Sequence, residues 1–233
     1  MTTSKRSRSS NDAIYLTLRS AIVDHRLRPG ARLPEDTLGQ TFGVSRTSIR
    51  KVLQQLAMDR LVTLRPNRGA EVSRPTIKEA TDVFAARRLI ECGCIPQIVE
   101  RITDADIASL RELVGLERDA RRDGDQSQAI RYSAEFHVRL IAVADNELTH
   151  AFIGQLTSLS SLVVAVYGSP RSVGCDCGEH DELLQLLESG QTEKADYWMD
   201  RHLREIEASL DFADQEDEQP DFAALFGDST EAS

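Results

Sequence analysis

The tightest constraint in the sequence is a stretch of about two dozen residues centred on Gly43. Leu33-Pro34 opens a short helix from Glu35 to about Phe42, and Gly43 closes it. One residue later, Ser45 starts a longer helix whose Ile49, Val52, Leu53 and Leu56 share one face. A short helix, a glycine turn and a second helix is the helix-turn-helix pattern. Upstream, Ile14, Leu18, Ala21 and Ile22 recur at helical spacing from Asn11 or Asp12, ending before Arg28-Pro29-Gly30. Downstream, Val62-Thr63-Leu64 and Ala70-Glu71-Val72 read as two strands joined through Arg65-Pro66-Asn67-Arg68-Gly69. A hairpin with arginine at both ends of its tip is a wing, suited to the DNA backbone or the minor groove.

The polar side of the second helix carries the chemistry. Arg46, Arg50 and Gln54 stand at i, i+4 and i+8, flanked by Ser45, Thr47 and Lys51. Arginine there can grip guanine O6 and N7 with two hydrogen bonds, and the helix N-terminus with its hydroxyls can hold a phosphate. Ser45 also suits an N-cap.

Charge divides along the chain in the same sense. The net charge is -10, but residues 1–75 hold 14 Lys/Arg against 6 Asp/Glu, a surplus of 8. Residues 76–233 hold 14 against 32, so a basic module joins an acidic one near Arg74-Pro75-Thr76. Screening over about 10 Å lets the basic front meet phosphate despite the acidic rear. Aromatic residues are only 5% of the chain, which argues against a stacking platform for single strands. No apolar segment follows Met1, and residues 151–170 are too rich in Ser, Thr and Gln for a lipid span. A soluble, cytoplasmic protein without membrane contact is expected. Residues 1–10 are expected to form a disordered basic arm and residues 214–233, with seven acids and no base, a disordered acidic tail.

The strings Arg32-Leu33-Pro34-Glu35, Phe42-Gly43-Val44-Ser45-Arg46-Thr47-Ser48-Ile49-Arg50 and Asn67-Arg68-Gly69-Ala70 resemble the winged helix of GntR-family transcription factors. Ser48 stands where many members have proline. The resemblance covers residues 11–73 and implies a DNA-binding set of Arg32, Ser45, Arg46, Thr47 and Arg50, with Asn67, Arg68 and Gly69 on the wing.

Residues 76–211 read as helix after helix, with breaks at Thr103-Asp104, Gly124-Asp125, Asp145-Asn146, Gly168 to Gly178 and Ser189-Gly190. About six helices in an all-α bundle are expected. The fold class is therefore mainly α, with domains at 11–75 and 76–213. Three histidines, His137, His180 and His202, lie on apolar-patterned helices, and imidazoles converging in one bundle make a transition-metal site. The anchors Arg87-Arg88-Leu89-Ile90-Glu91, Phe136-His137, Glu179-His180 and Met199-Asp200-Arg201-His202-Leu203 resemble the FCD effector-binding domain of the FadR subfamily. That resemblance implies a divalent transition metal, zinc- or nickel-like, on one Asp and three His, with a small carboxylate effector beside it. His137, His180 and His202 match the histidines, but Ser133 stands where the Asp belongs.

Three outcomes follow from Ser133. The metal stays on three histidines, Cys177 or Glu135 substitutes, or the pocket works without metal; retention is the reading favoured. A neutral ligand set leaves more charge on the metal and favours an anionic effector. The effector set expected is Arg87, Ser133, Gln155 and Ser158, with Arg87 either clamping a carboxylate or pairing with Glu91. The four cysteines form two Cys-x-Cys pairs, Cys92/Cys94 and Cys175/Cys177, and are expected to be reduced packing thiols.

The expected function is a transcriptional regulator, not an enzyme. It would bind a pseudo-palindromic double-stranded operator as a homodimer, because one winged helix reads only a few base pairs. Repression relieved by a small effector is the expected sense. Two other readings stay open: a metal or redox sensor built on Cys175, Cys177 and His180, and a three-histidine metalloenzyme using Glu135 as base.

Overall fold

A computed structural model describes residues 3–65, 69–168 and 178–212. The chain divides into two compact units meeting between Arg74 and Pro75, each described by itself.

In the first unit, α1 (Thr3–Val23) packs its Ile14, Leu18, Ala21 and Ile22 onto α3 (Arg46–Met58), with α2 (Glu35–Thr41) between them in sequence. The turn from α2 to α3 is tight because two glycines permit it. Gly43 has φ 62°, and a Cβ on Gly39 would meet the Val44 carbonyl oxygen at 3.0 Å. Tyr15 Oη donates to Asp59 Oδ2 at 2.6 Å, tying α1 to the C-terminal cap of α3. The sheet has three antiparallel strands in the order β1 (Arg32–Leu33), β3 (Gly69–Val72), β2 (Val62–Arg65). The sequence signalled β2 and β3. The two-residue β1 carries no periodicity of its own and exists because its backbone completes β3.

One expectation is corrected here. The helix α1 starts at Thr3 and not near Asn11, so most of the stretch expected as a disordered arm continues the helix. No Gly or Pro interrupts Thr3 to Asn11, and a helix already anchored by Ile14 and Leu18 propagates without a new nucleus. The acidic tail at 214–233 lies outside the described residues.

The second unit holds six helices among the described residues. They are α4 (Ile77–Arg101), α5 (Asp104–Arg122), α6 (Gln126–Ala142), α7 (Glu147–Tyr167), α8 (Gly178–Glu188) and α9 (Thr192–Ala208). Their starts are chemically marked: Thr76/Glu79 and Thr103/Asp106 form capping boxes, and Asp125 and Asn146 cap α6 and α7. A core of Ile95, Ile98, Leu110, Phe136, Leu140, Ile153, Leu183, Trp198 and Leu203 joins all six helices. The helix α7 is long and apolar enough by composition to cross a membrane, yet its Thr157, Ser158, Ser160 and Ser161 are buried against the rest of the bundle. Buried hydroxyls turned back on their own helix are the mark of a bundle element.

Candidate functional site

Along α3, Ile49, Val52, Leu53 and Leu56 are buried, which leaves Arg46, Thr47, Arg50, Lys51 and Gln54 exposed. The sequence-derived face is thus presented outward. Ser45 caps α3, its Oγ accepting from the Ser48 amide at 3.2 Å. Arg46 and Arg50 are not simply solvated. Arg50 donates through Nε and Nη2 to the two oxygens of Glu35 at 2.9 and 2.7 Å, and Arg46 Nε lies 2.8 Å from Asp36. The Arg50 guanidinium holds the Glu35 carboxyl below the usual carboxylate range. Arg32 is exposed on β1, paired in register with Glu71. Gly69 opens β3 at φ 81°, opposite Arg65, which is itself paired with Glu71. Asn67 and Arg68 lie outside the described residues.

In the helical unit, the three histidines meet. His137 from α6, His180 from α8 and His202 from α9 are buried, with ring centroids 5.1 to 5.5 Å apart. One ligand atom from each lies within 4.8 Å of the others. Helix periodicity explains the convergence, since each histidine shares its helix's apolar stripe: Phe136 and Leu140 beside His137, Leu183, Leu184 and Leu187 beyond His180, Trp198 and Leu203 around His202. His202 stacks on Trp198 at 4.7 Å, and His180 on Phe136 at 4.4 Å.

Two glutamates orient two of the rings. Glu91 Oε2 lies 2.6 Å from His137 Nδ1, and Glu117 Oε2 lies 3.0 Å from His180 Nδ1. A carboxylate can only accept, so Nδ1 carries the proton and Nε2 the lone pair. Those Nε2 atoms are buried without a hydrogen-bond partner. Each glutamate is in turn held by an arginine of its own helix, Arg87 Nε to Glu91 at 2.7 Å and Arg121 Nη2 to Glu117 at 2.7 Å. Burial alone would push the Glu91 carboxyl up, but the charge of Arg87 and the hydrogen bonds from His137 and Arg87 outweigh it and hold the pKa at about 2. Glu117 is likewise held low, its burial outweighed by His180 and Arg121. Burial pushes the His137 imidazole below its usual range, against the pull of Glu91.

This geometry suits a cation. A tetrahedral metal with nitrogen ligands at about 2.1 Å places those atoms about 3.4 Å apart, so the rings would close by up to about 1.4 Å to hold one. Beside the cluster, a cavity of about 70 Å³ is lined by Arg87, Ser133, His137, Thr157, Ser160 and Ser161, with Phe84 and Arg121 also on its wall. Arg87 pairs with Glu91, one of the two readings made of it, and also lines the cavity, with Nη1 on Ser160 Oγ at 3.0 Å and Nη2 buried without a hydrogen bond.

Several candidates are relocated. Gln155 is exposed, Ser158 Oγ donates back to the Gly154 carbonyl, and neither lines the cavity. The cavity takes the stripe Thr157, Ser160, Ser161 and Val164 of α7, and 155 and 158 lie off that stripe. Glu135 cannot replace the missing Asp: two residues from Ser133 on α6, it faces away and pairs with Arg139 at 2.5 Å. Cys175 and Cys177 lie outside the described residues. Cys94 is buried and Cys92 half-buried, and burial, with Asp196 and Asp200 nearby, pushes the Cys92 thiol up to about 12. Such thiols are inert packing groups. Sequence reasoning missed the roles of Glu91 and Glu117 as imidazole partners. Their signal was an acid on an apolar stripe, as Glu117 follows Leu113 and Val114 on α5.

Residues 10–72 match the model of the bacterial regulatory proteins of the gntR family, and residues 82–205 match the FCD domain. The chain belongs to the GntR family, in its FCD-bearing branch. The regulator is 29% identical over 203 residues to an HTH-type transcriptional regulator in an unstable DNA locus of Streptomyces ambofaciens, covering 85% of this chain and 84% of that one. It is 26% identical to the HTH-type transcriptional repressor RspR of Escherichia coli K12, covering 86% and 88%. Among solved structures, a GntR regulator from Rhodococcus sp. RHA1 superposes with a TM-score of 0.77 at 28% identity, covering 86% and 96%. Family and relatives are transcriptional regulators and not enzymes, so the regulator binds DNA through its first unit and carries an effector-binding second unit.

Glu91→Gln should destabilise the protein by about 3–5 kcal/mol in urea unfolding, because Arg87 loses its counter-charge inside the bundle. Asp82→Asn, which breaks the exposed Lys78–Asp82 pair, should cost under about 1 kcal/mol. Equal small losses would contradict the network described.

Proposed function

We propose that this protein is a cytoplasmic repressor that binds a pseudo-palindromic operator as a homodimer and is released by a small carboxylate-bearing metabolite. The metabolite binds in the cavity beside His137, next to a divalent transition metal, zinc- or nickel-like, on His137, His180 and His202. The observation that carries this reading is the pair of carboxylate-anchored imidazoles, His137 and His180, whose unbonded Nε2 atoms face a common space with His202. Ser133 in place of an acid leaves three neutral ligands, so the metal keeps its full charge toward an anion, and Arg87 Nη2 offers a second contact. The repressor sense is supported by the likeness to RspR.

Release requires the ligand to prefer one arrangement of the helical unit, and turning a mostly bound population into a mostly free one takes about 5 kcal/mol of differential affinity. On the DNA side, Arg46, Thr47 and Arg50 read bases, Ser45 and the start of α3 meet phosphate, and Arg32 with Asn67, Arg68 and Gly69 flank the contact.

Two measurements test this. Elemental analysis of untagged protein purified without chelator should give about one transition-metal ion per chain, lost in His137→Ala; metal-free wild type would sink the metal site. Arg46→Ala and Arg50→Ala should each weaken binding to a duplex selected by the wild-type protein by roughly ten- to a hundredfold, without unfolding it. Unchanged affinity in both would remove α3 as the reading helix.

A further inference from the structure

The two arginines at the front of α3 are both held by acids from the first turn of α2, and the two contacts differ in kind. Glu35 takes Arg50 with two parallel bonds, and its side chain is only 18% exposed. Asp36 takes Arg46 with one close contact and is 62% exposed. Acids in a first turn suit the helix dipole, and exposed ion pairs add little stability. Neither point explains a two-pronged contact reaching across to the recognition helix.

Donor counting shows what the contact does. Arg50 has five N–H groups, and Glu35 uses those on Nε and one on Nη2. The remaining three, two on Nη1 and one on Nη2, lie on the outer end of the guanidinium. Guanine O6 and N7 need two donors, so base reading is compatible with the Glu35 contact. Bonding to Glu35 also removes rotamer freedom that a flexible arginine would otherwise lose on binding DNA. The carboxylate has a second effect: it repels phosphate, so a helix settling on the backbone without a matching base gains less.

We propose that Glu35 is a specificity-determining residue, a positioning group that aims Arg50 at a base and penalises sequence-independent contact with phosphate. This rests on the reading of α3 as the base-contacting helix. Asp36, with its single exposed contact, plays a lesser part.

The test compares wild type, Glu35→Gln, Asp36→Asn and Arg50→Ala on two duplexes of equal length. One is selected by the wild-type protein from a random library and the other is unselected. Glu35→Gln keeps the size of the side chain and removes its charge. The ratio of affinities for the two duplexes should fall about tenfold, with the unselected duplex bound more tightly than by wild type. Asp36→Asn should change the ratio by less, and thermal unfolding midpoints should stay close to wild type. If Glu35→Gln tightens both duplexes equally, or changes neither, the inference is overturned while Arg50→Ala still reports on α3. If Arg50→Ala leaves the selected duplex unchanged, the reading of α3 has failed and Glu35 falls with it.

Discussion

Glu91 is the group on which the second unit turns. It is fully buried, and its two oxygens serve two helices at once, one taking Arg87 on α4 and the other His137 on α6. Glu117 repeats the device between Arg121 on α5 and His180 on α8. Both acids would be costly inside a bundle without their partners, and with them they make a weak contribution to stability. What the two networks supply is orientation. Each fixes a tautomer and points an imidazole lone pair at the same small volume.

The cavity inherits its character from this arrangement. Arg87 and Arg121 are balanced by their glutamates, so they do not make a strongly positive pocket of their own. In the proposed site an anion is drawn by the metal on three neutral histidines, with Arg87 Nη2 and the hydroxyls of α7 shaping the remainder. Ser133 fits that logic, since it lines the cavity without adding a negative charge beside the metal.

Much of this was legible in the sequence, and for identifiable reasons. The helix-turn-helix was marked by Gly43 and by the stripe Ile49, Val52, Leu53 and Leu56. The helix breaks at Thr103, Asp125 and Asn146 were marked by residues whose side chains cap the following turn. The three histidines were found because they interrupt apolar stripes. What escaped was set by tertiary contact. The strand β1 is too short to have a period, and the choice of Thr157, Ser160 and Ser161 over Gln155 and Ser158 depends on how α7 is rotated in the bundle. Residues 3–10 are polar and basic like a disordered arm, but their helix is continued from its anchored part. Glu91 and Glu117 looked like ordinary helix acids because their partners lie on other helices, far away in sequence.

The proposed metal site consists of three imidazoles without sulfur. X-ray absorption at the zinc edge, on protein loaded with one equivalent of zinc, tests it most directly. Three histidine nitrogens at about 2.0–2.1 Å, completed by oxygen, are the predicted first shell. A sulfur scatterer at about 2.3 Å would contradict the account and hand the site to Cys175 or Cys177.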